Sequence, residues 1–319
     1  MKQNDSKHIL QTINQNVKHL FHEQVSNWEL ARVNFAGLQT VKSKSFSFGN
    51  FEVKVQFNPA RIVSSGAKTD AKSIAARPCF LCASNRPQQQ KTVDFGDYEI
   101  LVNPFPIFPE HFTIPRKEHV PQQILPYFAD MLQLAVAMDD YLVFYNGPQC
   151  GASAPDHMHF QAGTKNFLPL VNDYKRLKAT HTDLLSDNGE TQLYRLKEYL
   201  RTVYIIESVG LESAKLTFEN LYAQFSSPLS LGRGVGGEVL NATEPMLNIV
   251  CTYENNRWTV FVIPRKAFRP WQYTAPENEQ LLISPATVEM CGVLITPVEA
   301  HFERVTENDI ESIFKQVSL

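Results

Sequence analysis

Apolar residues recur at near-helical spacing over residues 16–33, where Val17, Leu20, Phe21, Val25 and Leu30 would share one face, so the pattern predicts an amphipathic helix. Over residues 46–57 the period shortens to two, with Phe51, Val53, Val55 and Phe57 on one side, as in a half-buried strand. Residues 98–103 and 111–115 read as further strands. Between them, Pro104, Pro106 and Pro109 force an extended, rigid connector. A helix opens near Pro126, a natural first-turn residue, and carries Phe128, Met131, Leu132, Ala135 and Met138 inward. The apolar run 141–145 is a strand that feeds a turn of small and polar residues. A second short strand follows, with His157, His159 and Gln161 at alternate positions. Alternation would place two imidazoles and an amide on one surface and turn Met158 and Phe160 into a core.

The second half is less sharply patterned. From Leu168 it reads as a connector, then a strand over 199–208 and a helix over 211–225. Residues 226–238 are small and Gly-rich and read as a flexible loop. Within them Gly232-Arg-Gly-Val-Gly-Gly237 has the form G-x-G-x-x-G, but no strand pattern precedes it and no helical pattern follows, so the dinucleotide-binding reading fails on context. Residues 262–270 echo residues 113–121, with Ile, Pro, Arg, Lys and the final Pro identical and Phe268 standing where His119 stands. Residues 291–297 in turn parallel 141–146, with no His-x-His after them. An internal repeat is therefore expected, its second copy stripped of chemistry. The units would be 1–170, with a helical extension over 1–45, and 171–319. Trp258 and Trp271 read as core or pocket-wall residues.

Composition narrows the functional classes. The 319 residues are 43% apolar and 20% charged, with a net charge of −3, as in a soluble globular protein with no nucleic-acid surface. The polar N-terminus lacks a signal-peptide core, and the apolar runs are far too short to span a bilayer, so a cytoplasmic protein without a membrane partner is expected. Oligomeric state is open, a homodimer included. Five cysteines with one close pair point to metal binding in a reducing compartment. In Cys79-Phe-Leu-Cys82 the spacing lets both sulfurs face one ion, as in tetrahedral zinc sites, and two further ligands are needed. A redox pair would open a helix after a strand, whereas Pro78 precedes this pair and a turn follows. His19 and His22 read as solvated helix-face residues. Residues 58–70 bring Arg61, Ser64, Ser65, Gly66 and Lys68 into one loop, which could hold a phosphate or be an ordinary surface loop.

The order of these motifs resembles the histidine-triad superfamily, in its transferase and phosphorylase branch: galactose-1-phosphate uridylyltransferase, the dinucleoside polyphosphate phosphorylases and the GDP-hexose phosphorylases. The carriers are Cys79-Phe-Leu-Cys82, Asn103-Pro-Phe-Pro106, His111-Phe-Thr-Ile-Pro-Arg-Lys-Glu-His119, and Gly151-Ala-Ser153 ahead of His157-Met-His-Phe-Gln161. The resemblance implies an α+β fold of two histidine-triad-like units, antiparallel sheet with packed helices, the second degenerate. It implies a nucleotidyltransferase or phosphorylase acting on an NDP-sugar or a dinucleoside polyphosphate through a nucleotidyl-histidine. His159 would be the nucleophile, with Ser153 and Gln161 donating to phosphoryl oxygens. Zinc would be held by Cys79, Cys82, His157 and His119, with His111 the alternative for the last. Asn146 matches a substrate-contacting asparagine, and Asn103, Arg61 and Lys68 are the further candidates for substrate contact. The acceptor would be phosphate or a sugar 1-phosphate. Gln161 stands where the family's hydrolases carry a third histidine. It cannot shuttle a proton, which favours transfer over hydrolysis. The remaining readings are an ATP adenylyltransferase, a nucleotidyl hydrolase, or a non-catalytic nucleotide-binding protein. Departures from the pattern are Asp156, which lengthens the gap after Ser153, and a C-terminal half with only His181 and His301, too few for a second metal site.

Overall fold

The computed structural model describes residues 2–62, 70–226 and 244–319. Among the described residues thirteen strands run in chain order: β1 (Lys42–Phe48), β2 (Phe51–Phe57), β3 (Thr92–Phe95), β4 (Tyr98–Val102), β5 (His111–Pro115), β6 (Tyr141–Asn146), β7 (His159–Thr164), β8 (Thr182–Asp187), β9 (Thr191–Leu196), β10 (Tyr204–Ser208), β11 (Leu247–Glu254), β12 (Arg257–Pro264) and β13 (Val293–Thr296). Ten of them form one sheet in the order β3-β4-β5-β7-β6-β11-β12-β10-β9-β8. Every neighbouring pair in it is antiparallel.

The halves of this sheet repeat one connectivity. Three strands lead into a helix, Phe128–Ala137 in the first half and Leu211–Ser226 in the second, and two strands return so that the last slots beside the third. The halves join where β6 pairs with β11 and Asn146 faces Asn248.

Both faces are covered, which is why the central strands read as nearly continuous apolar runs rather than clean alternations. On β6, Tyr141, Val143 and Tyr145 enter a core roofed by Lys2–Asn27, Glu29–Gly37 and the two repeat helices. Leu142 and Phe144 enter the opposite core. There Pro169–Leu177, Glu299–Arg304, Glu307–Val317 and a small sheet of order β1-β2-β13 form the cover.

Several expectations are corrected. The helix expected over 16–33 is two helices that part at Trp28, and the strand expected over 46–57 is the hairpin β1–β2, turned at Gly49 with φ +63°. The connector after Leu168 holds a helix and the hairpin β8–β9, and the strand expected from 199 begins at Tyr204. Trp258 is buried, whereas Trp271 is 52% exposed. The repeat is shifted relative to the sequence echo. Residues 262–264 end β12, which holds the place of β7 rather than β5. Residues 293–296 pair in parallel with β2 in the small sheet, outside the large one. Ile-Pro-Arg-Lys closes an inner strand in each half, and that shared local chemistry produced the echo. Of the loop expected over 226–238, Ser226 ends the helix Leu211–Ser226 and residues 227–238, with the glycine motif, lie outside the described residues.

Candidate active site and metal centre

The strand β7 starts at His159, two residues later than the sequence alternation suggests, and His157 sits in the turn before it. Gln122 clamps this start. Its Oε1 accepts from the His159 backbone N–H at 2.8 Å, and its Nε2 donates to the carbonyls of His159 at 3.0 Å and Asn146 at 2.9 Å. The His159 ring is buried, and its Nδ1 lies 2.8 Å from the His157 carbonyl, an acceptor only. Nδ1 must therefore carry the proton, which leaves Nε2 with a free lone pair. Burial pushes this imidazole down to about 4, so it stays neutral around pH 7.

His159 opens onto a cavity of about 660 Å³. Arg61, Asn103, Asn146, Ser153 and Gln161 line the same space, together with Arg77, Arg269, Ser284 and Glu289. Asn146 is fixed from the far half: its Oδ1 accepts from the Thr287 N–H at 2.8 Å, the Thr287 hydroxyl at 2.7 Å and Asn248 Nδ2 at 3.2 Å. Its amide hydrogens are thus left for the cavity. Asn103 is used locally, accepting from the Phe105 N–H and donating to Thr113 Oγ1. Arg61 donates to the Phe105 carbonyl at 2.7 Å. Gly151 holds φ +103°, and a β-carbon there would stand 2.4 Å from that of Ala286, so only glycine lets the Ser153 loop lie against the second half.

His111 is buried below Gln161. Its Nδ1 accepts the Ile107 N–H at 3.2 Å, so Nε2 holds the proton and donates to Gln161 Oε1 at 3.0 Å. That bond decides which end of Gln161 faces the cavity: its Nε2, a donor.

Beside the cavity, Cys79, Cys82, His119 and His157 converge, with ligand atoms all within 4.8 Å of one another. The Nδ1 atom of His157 lies 3.3 Å from Cys79 Sγ and 3.6 Å from Cys82 Sγ, and that of His119 lies 3.2 Å from Cys82 Sγ. Ordinary Zn–S and Zn–N bonds at tetrahedral angles would set sulfur and nitrogen about 3.5 Å apart, so the set fits such an ion. The remaining His157 nitrogen, Nε2, donates to the Arg116 carbonyl at 2.7 Å, and that of His119 faces Asp156 at 3.8 Å, the outer partners a histidine ligand uses. Burial opposes ionisation of Cys79, but bonds from His157 and the N–H groups of Leu81 and Cys82 outweigh it and hold the thiol below its usual range.

Comparison with known proteins places this geometry. Residues 20–164 match a family model described as a domain of unknown function, DUF4922, and residues 177–319 match "GDPGP1-like, C-terminal domain". Galactose-1-phosphate uridylyltransferase of Staphylococcus saprophyticus is 28% identical over 151 residues, 39% of this chain and 30% of that protein. Protein APA1 of Saccharomyces cerevisiae is 23% identical over 257 residues, 70% of each chain. The crystal structure of yeast Ap4A phosphorylase Apa2 in complex with Ap4A superposes with a TM-score of 0.62 at 16% identity, covering 97% of both chains. These matches agree with the resemblance to the transferase and phosphorylase branch of the histidine-triad superfamily. It spans less than a third of the uridylyltransferase's length and over two thirds of APA1.

The structure brings the residues singled out in sequence into two adjoining places. His159, Gln161, Ser153, Asn146, Asn103 and Arg61 share the cavity, and Cys79, Cys82, His119 and His157 share the cluster that could hold a metal. His157 does not face the cavity as strict alternation would have it. Lys68 lies outside the described residues. Sequence reasoning missed Gln122 and the part played by His111, and it missed Arg269, Ser284 and Glu289 from the second half. The two residues from the first half act through partners distant in sequence, which no local pattern marks. Arg269 lies within the echoed 262–270 segment, the one signal that pointed to it.

Proposed function

We propose that this chain is a nucleotidyltransferase or phosphorylase that transfers a nucleoside monophosphoryl group between phosphate-bearing partners through His159. One observation carries the reading: the Nδ1–H of His159 is committed to the His157 carbonyl, which leaves Nε2 the free lone pair on a residue that lines the cavity. In the first half-reaction Nε2 attacks the α-phosphorus, a P–N bond forms, and the P–O bond to the departing phosphate breaks with its electron pair on oxygen. The positive charge that develops on the imidazole faces the His157 carbonyl. The hydrogens of Gln161 and Asn146 and the hydroxyl of Ser153 are the donors for the non-bridging oxygens. The departing phosphate is a stable anion and needs no proton, which suits a glutamine at position 161.

Substrates follow from relatives only as far as this proposal: an NDP-sugar, as for the uridylyltransferase, or a dinucleoside polyphosphate, as for yeast Apa2, which is also solved with AMP. Zinc is the metal proposed for Cys79, Cys82, His119 and His157, in a structural role: it would hold the His157 segment, whose carbonyl orients His159. We assign the chemistry to the first unit, 1–170, and a scaffold and pocket-wall role to the second, 171–319.

The test is intact-mass measurement after incubation with UDP-, GDP- and ADP-sugars and dinucleoside polyphosphates without acceptor. A nucleoside-monophosphate adduct is expected with at least one donor and is lost in His159→Ala. No adduct with any donor, or one that survives in His159→Ala, would sink the proposal.

A further inference from the structure

The cations that line the cavity differ in how their charge is met. Arg77 donates to the Ser153 carbonyl at 3.1 Å and to Asp156 at 3.2 Å. Arg61 is buried beside Glu289, whose carboxylate acts on it. Arg269, from the second half, has no such neighbour: among the described residues no carboxylate lies within ion-pair distance of it. Its Nε donates to Ser284 Oγ at 2.9 Å, and its guanidinium lies 4.0 Å from the Tyr273 ring centre and 4.4 Å from that of Phe268. One hydrogen bond and two aromatic faces therefore hold the plane in place. Among the described residues neither Nη group has a hydrogen-bond partner, and neither numbers among the buried nitrogens without one, so both are open.

A partly desolvated cation without a counter-charge is costly to keep. Fixed as a fork at the wall of a cavity, it suits the two oxygens of a phosphate. We infer that Arg269, clamped by Ser284, forms the subsite for the phosphoryl oxyanion that is exchanged against the nucleotide. It would hold the departing phosphate in the first half-reaction and the incoming one in the second. This deepens the proposed function and rests on it. In the second step an oxygen of the bound phosphate forms a bond to the α-phosphorus while the P–Nε2 bond breaks, its electron pair returning to the imidazole. Both steps balance without an oxidant, a reductant or a stored proton. In-line displacement sets the entering and leaving oxygens away from Nε2, so this anion belongs on another wall than the β7 strand. The second half supplies that wall.

The experiment follows discharge of the wild-type adduct against inorganic phosphate and, separately, hexose 1-phosphate; the acceptor that discharges it names the source of the phosphate. In Arg269→Gln the half-saturating concentration should rise at least about tenfold, the loss expected for a charge-assisted pair. Arg269→Lys keeps the charge without the fork and should show a smaller rise, as should Ser284→Ala. The Lys and Ala variants serve if the Gln variant does not fold. Half-saturation unchanged in all three overturns the inference. A wild type that forms no adduct refutes the proposed function instead. A binding arm then decides, with calorimetric titration of phosphate and hexose 1-phosphate into His159→Ala. Binding lost on adding Arg269→Gln supports the subsite, whereas binding retained, or absent from the outset, overturns it.

Discussion

His111 shows how a single buried side chain can set the chemistry of another. Because Ile107 occupies its Nδ1, its Nε2–H is directed at Gln161 Oε1, and the Gln161 amide hydrogens are left for the cavity. His111→Phe keeps the ring's bulk between Phe108 and Phe144 but frees Gln161 to turn. We expect kcat to fall about tenfold, one hydrogen bond's worth, with little change in the nucleotide dissociation constant. A fall in binding with kcat intact would remove this role. The same residue links stability to pH. Burial pushes the folded imidazole down to about 3, while an unfolded histidine takes its proton near 6.5. Between these values the unfolded chain binds more protons, so stability rises with pH. The contribution is complete above 6.5 and is lost as pH falls toward 3. Denaturant melts from pH 4 to 7 should show the stability advantage of wild type over His111→Phe shrinking on acidification by roughly 1 kcal/mol per pH unit. A difference independent of pH would mean that the buried ring is not held neutral.

At the scale of elements, the turn before β7 is tied on both sides. On one side stands the Cys79, Cys82, His119 and His157 cluster, and the zinc proposed for it would be a large part of the first half's stability. Metal analysis should find about one zinc per chain, and Cys79→Ser or a strong chelator should remove it and unfold this region, since structural zinc supplies on the order of 10 kcal/mol. A metal-free wild type of equal stability would refute the four-ligand set. On the other side Gly151 lies against Ala286. Gly151→Ala meets both a left-handed φ and a 2.4 Å contact, and should cost about 2 kcal/mol, read as a lower melting temperature. How much of this the sequence carried depended on range. Strands β4, β5 and β6 and the helix Leu211–Ser226 were legible because their apolar periods and proline boundaries are local. The convergence of Cys79, Cys82, His119 and His157 was legible through motif order. The hairpin β8–β9 was missed because Leu184 and Leu185 are exposed and β8 gives no inward alternation. Gln122 was missed because its partners lie at Asn146 and His159, far along the chain.

Across the whole molecule, the cavity belongs to neither half. Strand β6 carries Asn146 in the first half but pairs with β11 of the second, and three donors from residues 248 and 287 meet at Asn146 Oδ1. Asn248 is in turn fixed by Arg265, whose Nη1 donates to its Oδ1 at 2.7 Å. Cutting the chain between the halves would expose the β6 edge and leave this buried amide without partners, so neither half should be stable alone. Trp28, beside the first half, and Trp258, within the second, are both buried and report on each side. We expect one unfolding transition, with tryptophan fluorescence and far-ultraviolet circular dichroism superimposable in denaturant. Thr287→Val removes the hydroxyl that donates to Asn146 Oδ1 and whose Oγ1 also lies 2.7 Å from the Tyr145 carbonyl, with almost no change in volume. It should cost about 1 kcal/mol for the buried hydrogen bond it removes, and the shift should appear equally in both probes. Two separate midpoints, or a shift confined to one probe, would mean that the halves fold independently and that the shared node does not couple them.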